Sequence, residues 1–406
     1  MGGEASACPV FPLPRDRACP FDPAPELARI QREDPISRVR IWDDSTPWII
    51  TRYADVQTAL SEPRLSVNTQ LPGYPSFNGA NAVKQGLTTS LINMDEPEHS
   101  VLRRRVNPTF MFKKMEAYRP RIQQIVDDQL DELLAGPNPA DLVEGFALPV
   151  PSLVICELLG VPYEHRDFFQ NASTTLLSKT SDPQEARVVA QQLLDFLAEL
   201  VDIRAADPGE GLLGRLIVEQ LQTGNMTREE LATMADLVLV AGHETTANMI
   251  ALGTALLLGR PDDLAAIRDS DDPQFVADAV EELLRYLNIT HFGRRRVALD
   301  DIEIDGTLIR AGEGLIVAND IANRDPDVFT NPDELDIRRT DSRQQLAFGY
   351  GIHQCLGQQM ARIELQIAYQ SLFRRIPTLA LATSVDQLPF KADGVVYGLH
   401  SLPVTW

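Results

Sequence analysis

The stretch that decides the reading is Phe348-Gly349-Tyr350-Gly351-Ile352-His353-Gln354-Cys355-Leu356-Gly357. A glycine-rich loop carries one cysteine and runs into a segment with apolar residues at Met360, Ile363 and Ile367, the spacing of an amphipathic helix. A helix N-terminus presents free N–H groups and the positive end of its dipole, and both stabilise a thiolate. Glycines let the backbone lie close against a large flat ligand. A lone buried cysteine without this setting reads as an inert small apolar residue.

Working outward, the next clear signal lies upstream. Thr227-Arg228-Glu229-Glu230 is a capping box, with Thr227 as the cap and Glu230 reaching back. An apolar pattern follows to Leu258, and Gly259-Arg260-Pro261 is a stop signal. The spacing predicts a helix of about 32 residues, roughly 48 Å long. It is apolar all round, so it should cross the core. Shorter helices are predicted over 120–134, 186–205 and 273–287. Residues 38–53 alternate as strands do, with a turn at Asp43-Asp44-Ser45. From 302 to 318, Ile-Glu-Ile, the Asp305-Gly306 turn and Leu-Ile-Val read as short antiparallel strands, and the last stretch of chain again reads as strands. Residues 64–92 read as a long loop, a kind that is usually functional or mobile.

The 406 residues, 44% apolar and 23% charged, suit a globular chain and exclude disorder. A net charge of −21 gives no general attraction to nucleic acid or anionic membrane. Cysteines at 8, 19, 156 and 355 are too few for a disulfide scaffold and form no zinc clip, so a reducing, cytoplasmic setting is expected. Met1 to Phe21 carries charges and four prolines, unlike a signal peptide or membrane anchor, and no run is long and apolar enough for a spanning helix. There is no internal repeat. Residues 1–25 are expected to form a Pro-rich arm, and 26–406 a single domain.

The cysteine stretch resembles the haem-binding signature of the cytochrome P-450 family, F-G-x-G-x-H-x-C-x-G, at every specified position. The resemblance implies a mainly α fold with a small β region. In this single large haem-thiolate monooxygenase fold, haem lies between the long central helix and the helix following the cysteine loop. It implies haem b (iron protoporphyrin IX) as cofactor, O2 as co-substrate and Cys355 as the thiolate ligand of iron. Phe348, Gly349, His353 and Gly357 of the same loop are implied to cradle the haem.

Other motifs follow in the family's order. Glu282-Leu283-Leu284-Arg285 looks like the E-x-x-R pair, whose spacing puts both charges on one helix face. By resemblance Glu282, Arg285 and Arg339 form a buried ionic network behind the haem. Asp95-Glu96-Pro97-Glu98-His99 with Arg103 is similar to the bacterial pattern before a helix that covers the haem edge. His99, Arg103, Arg296 and His353 are implied partners of the two haem carboxylates, which need partners once buried. Ala241-Gly242-His243-Glu244-Thr245-Thr246 resembles the oxygen-binding motif A-G-x-[DE]-T. Small residues at Ala241 and Gly242 would let the helix pass close over the haem. A Thr245 hydroxyl bonding a carbonyl one turn back can open the helix locally, and Glu244 and Thr245 would then relay protons as the catalytic pair. His243-Glu244 is not a zinc site, because Ala247 stands where H-E-x-x-H needs histidine.

The resemblance is nearest to soluble actinomycete members acting on macrolides, statin-type polyketides, secosteroids and drugs. It implies insertion of one oxygen atom of O2 into a C–H or C=C bond of a bulky hydrophobic molecule. Nitric oxide reductase and peroxygenase branches lack the acid–alcohol pair, and a haem sensor would need no proton relay. No G-x-G-x-x-G follows a strand, so no NAD(P)H domain is fused. By family likeness electrons come from a ferredoxin and its NAD(P)H-dependent reductase. Arg103-Arg104-Arg105, Lys113-Lys114 and Arg362 offer a basic dock, and a monomer without nucleic-acid or membrane partners is expected. Substrate-contact regions by family match are Leu87, Ile92, Leu237, Val240, Ile289, Phe292, Val395 and Val396. Strand alternation turns Arg294 to the side of Arg296, where it would read a substrate carboxylate, and Arg295 to the other.

Overall fold

Thr227 caps the long helix as its sequence predicts. In the computed structural model the Glu230 N–H donates to Thr227 Oγ1 at 3.1 Å, and the Thr227 N–H donates to Glu230 Oε2 at 2.8 Å. The helix runs Arg228–Leu258 and ends at Gly259. Residues 8–77, 90–161, 182–209, 211–392 and 394–406 are described, with scattered positions between 162 and 181. This central helix packs against Pro149–Leu159, Pro183–Ala206, Pro273–Leu287 and the post-cysteine helix Gln358–Arg375. Burial on all sides of its second half explains the lack of a polar face.

The predicted helices appear as Arg119–Ala135, Pro183–Ala206 and Pro273–Leu287. The fold is mainly α. The strands are β1 Ile36–Arg38, β2 Trp48–Ile50, β3 Leu65–Ser66, β4 Ala140–Asp141, β5 Arg294–Ala298, β6 Ile302–Ile304, β7 Thr307–Ile309, β8 Gly314–Val317, β9 Ala380–Leu381 and β10 Pro403–Thr405. Five form one sheet in the order β1-β2-β8-β5-β3. β6 and β7 pair as a hairpin, turned by Asp305 and Gly306 in the left-handed region. Leu315-Ile316-Val317, expected beside that hairpin, instead joins the large sheet, parallel to β2 and antiparallel to β5. Its residues are all buried, so it needs cover on both faces, which a surface hairpin does not provide.

The described part of the arm, from residue 8 onward, packs on the body. Phe11 is buried with Ile49, Phe292 and Ile316. The Arg15 guanidinium sits 4.0 Å from the Tyr397 ring centroid, and the Tyr397 hydroxyl donates to Pro20 O at 2.7 Å. Among the described residues no helix is long and apolar enough to cross a membrane.

Candidate active site

The cysteine loop is shaped by two left-handed glycines, Gly349 and Gly351, at φ +74° and +72°. A Cβ on Gly351 would lie 2.6 Å from Leu60 O, so no larger residue fits without moving backbone. The Cys355 N–H donates to Phe348 O at 2.9 Å, and Gly357 is the N-cap of Gln358–Arg375. Burial pushes the Cys355 thiol up, while Arg294, the Gly357 N–H, Arg103 and Arg362 pull it down.

Cations gather around this loop. Arg103 Nη2 donates to Gln354 O at 2.8 Å and Arg294 Nη2 to Ala347 O at 3.1 Å. His99 and His353 stand with ring centroids 4.1 Å apart. Arg296, on β5, donates to Arg295 O at 2.8 Å. Burial pushes His353 down to about 3, with Arg296, His99, Arg103 and Arg294 adding to the effect. Burial also lowers Arg296 to about 10. Among the described residues none of Arg103, Arg294 and Arg296 has a carboxylate at ion-pair distance, and His99 Nε2 and Arg294 Nε are buried without an acceptor. Three guanidiniums facing no carboxylate, with His353 beside them and His99 held at Nδ1 by Glu96 at 3.4 Å but open at Nε2, fit a doubly anionic ligand beside a thiol, which is what haem brings. The predicted partners His99, Arg103, Arg296 and His353 thus come together. Arg294 joins them on the cysteine side.

On the central helix, Thr245 Oγ1 donates to Ala241 O at 2.6 Å, as predicted. Asn248, which sequence reading missed, does the same to Glu244 O at 2.9 Å. Two side chains thus bond carbonyls one turn back over this short stretch, a pattern that bends helices. Ala241 is exposed although it lies midway along a core-crossing helix. Gly242 points elsewhere: a Cβ there would lie 2.7 Å from Ile155 Cδ1, so its smallness serves packing on Pro149–Leu159. Glu244 Oε1 accepts from Lys391 Nζ at 2.9 Å, a partner that sequence gave no means to find.

The E-x-x-R network forms as expected. Arg285 donates to both Glu282 oxygens at 2.7 and 2.8 Å, and Arg339 Nε reaches Glu282 at 3.3 Å. Remaining donors of Arg285 go to Asn323 O, Pro332 O and Glu334 O. Glu282 and Arg285 have no exposed side-chain surface.

The expected pocket residues divide. Leu237 lines a cavity of about 160 Å³ with Leu91, Met94, Leu102 and Met234. Ile92 is 61% exposed; its neighbour Leu91 is the one that faces inward. Val240, Ile289, Val395 and Val396 are half-buried, and Ile289 O accepts from the Tyr397 N–H at 2.9 Å. Phe292 is buried against Phe11 and Phe77. Leu87 lies outside the described residues. In the expected dock, Arg104 and Lys113 are exposed beside the exposed Met111 and Phe112, Arg105 is half-buried and Lys114 lies 3.9 Å from Glu219. Arg362 is not part of that surface: it pairs with Glu281 and stacks 4.5 Å from the Phe348 ring centroid.

Comparison with known proteins supports the same picture. The family model for Cytochrome P450 matches residues 183–389. Cytochrome P450 GfsF of Streptomyces halstedii is 48% identical over 406 residues, covering 100% of this chain and 98% of that protein. Its crystal structure has a TM-score of 0.92 and covers 98% of this chain and 100% of its own. Vitamin D3 dihydroxylase of Streptomyces griseolus is 43% identical over 404 residues, 99% of this chain and 98% of that one. The mycinamicin VIII C21 methyl hydroxylase MycCI of Micromonospora griseorubida, bound to mycinamicin VIII, has a TM-score of 0.90 at 38% identity, covering 98% of this chain and 100% of that chain.

Proposed function

The chain belongs to the cytochrome P450 family, a monooxygenase family that uses haem and O2, and on that premise we propose that it hydroxylates a bulky, largely apolar small molecule with electrons from a ferredoxin and its NAD(P)H-dependent reductase. The observation that carries the reading is the group of guanidiniums around the Cys355 loop, Arg103, Arg294 and Arg296, which among the described residues have no carboxylate at ion-pair distance. Haem b fits there: Cys355 would hold the iron, Arg103, Arg294 and Arg296 would neutralise the two carboxylates, and His99 and His353 would hydrogen-bond them as neutral imidazoles. When bound, haem supplies the O2 activation and the oxidising power for insertion.

The protein's part is position and protons. Thr245 holds a proton at Oγ1, which bonds Ala241 O one turn back on the central helix. Glu244 holds or passes one at its carboxylate, kept in place by Lys391. Leu91, Met94, Leu102, Met234 and Leu237 give an apolar side, which suits a hydrophobic substrate, to a cavity that Ser90, Thr233, Glu229 and Glu230 line with polar groups. The vitamin D3 dihydroxylase and mycinamicin VIII hydroxylase among the relatives support a substrate of that bulk. The exposed Arg104 and Lys113, with Met111 and Phe112, offer an acidic ferredoxin a basic surface with an apolar centre.

The test is a titration of purified haem-loaded protein with a polyketide, steroid and drug panel, watching the Soret shift of water displacement. Compounds that bind are then turned over with ferredoxin, reductase and NAD(P)H. A hydroxylated product is expected. NAD(P)H-dependent turnover of none of the binders would overturn the reading.

A further inference from the structure

The groups read as partners of the haem carboxylates come from separate pieces of chain. His99 and Arg103 belong to the short helix Glu98–Val106, and Arg296 belongs to β5. Each element sets the direction of its own side chains, and neither sets the distance between the two halves. A two-sided site holds its ligand well only when that spacing is fixed, to about 0.5 Å.

Asp95 spans the gap. Its Oδ1 accepts from the Val67 N–H at 2.9 Å, and its Oδ2 accepts from the Ser66 hydroxyl. Ser66 is buried on β3, directly opposite Val297, the residue that follows Arg296 on β5. The Ser66 oxygen also accepts from the Asn68 N–H at 3.0 Å, which leaves its own proton for Asp95. On the other side, the Asp95 carbonyl accepts from the His99 N–H at 2.9 Å, in the first turn of the helix. The path from Arg296 to His99 therefore runs through Val297, Ser66 and Asp95. Burial lowers both His99 and Arg296, and the Asp95 carboxylate is among the groups that oppose this in each. A carboxylate takes two donors at once in a fixed fork, so it can fix a strand end at two points.

We propose that Asp95 is a positioning residue for the haem carboxylates: it ties the helix that carries His99 and Arg103 to β3, and so sets their place relative to Arg296 on β5. This rests on the reading of those side chains as haem partners. The Asp95 carboxylate is occupied by Ser66 and Val67, so the residue acts through its neighbours.

Two readouts on the haem-loaded protein test it: the rate of haem transfer to apomyoglobin, and the carboxylate-bending bands of the haem in resonance Raman spectra. In Asp95→Ala, which removes both side-chain bonds, transfer should be about tenfold faster and the bands should shift. Ser66→Ala, which removes one, should speed transfer about threefold and shift the same bands. Asp95→Asn keeps the shape, can still accept from Val67 and can donate to the Ser66 oxygen, so its transfer rate should stay within about twofold of the unmutated protein. Unchanged rates and bands in both Asp95→Ala and Ser66→Ala overturn the proposal. Faster transfer with unmoved bands also overturns it, since that marks general loosening. Equal losses in Asp95→Asn and Asp95→Ala overturn it too, because charge rather than placement would then be at work. Failure of the haem-enzyme reading is distinct: the unmutated protein would then take up no haem with a thiolate-type CO band.

Discussion

Lys391 and Glu244, 147 positions apart in the chain, form an ion pair at 2.9 Å between the turn near the C-terminus and the middle of the central helix. Both side chains are mostly buried, at 14% and 16% exposure. The same turn is fixed by the Lys391 N–H donating to Gly398 O at 2.8 Å, and Asn248 leaves no room for a side chain at Gly398. The proposed proton carrier is thereby tied to the wall that holds Val395 and Val396. Lys391→Met should retain haem and substrate binding but lower product formed per NAD(P)H, with peroxide released instead. The loss should be smaller than in Glu244→Ala or Thr245→Ala. Unchanged coupling in all three variants would remove these residues from the proton path.

Cys355→Ala should abolish thiolate ligation. The reduced, CO-treated protein should lose the red-shifted Soret band that a thiolate gives. A variant that keeps the band shows another ligand.

Charge reversal at Arg104 should slow reduction by ferredoxin, and the effect should shrink as salt rises, because the Debye length is about 10 Å at 0.1 M. Arg362→Glu should act differently. It breaks the pairing with Glu281, so it should cost about 1.5–3 kcal/mol of stability in urea unfolding. Equal low-salt reduction rates for Arg104→Glu and the unmutated protein would exclude the dock.

Arg285→Met should leave the fully buried Glu282 carboxylate with only Arg339 and the Asp336 N–H as partners and cost roughly 3–5 kcal/mol, with a large fall in the melting temperature. A shift of only a degree or two would mean that the network is dispensable.

Arg294→Leu should speed haem loss to apomyoglobin, because the side chain lies with the cations of the cysteine side. Hydroxy-acid and lactone forms of one polyketide should lose affinity equally, if at all. Selective loss of the acid would return Arg294 to the substrate.

Much of the site was legible in the chain because its constraints are local. The Cys355 loop needs glycines at fixed offsets, the Thr227 cap needs Glu230 three residues on, and the Glu282–Arg285 pair needs one helix face. Side-chain alternation on β5 likewise put Arg294 and Arg296 on one side and Arg295 on the other. Periodicity states which way a residue points on its own element, but not what waits there. Only packing decided that Gly242 meets Ile155, that Leu91 rather than Ile92 faces inward, and that Arg362 pairs with Glu281 instead of solvent. Only packing put Lys391 beside Glu244, and Phe77 under Arg295. The physical reason is range: caps, turns and i, i+3 pairs close within one turn of backbone, whereas a buried charge is satisfied by whichever distant segment the folded chain brings within 3–4 Å of it.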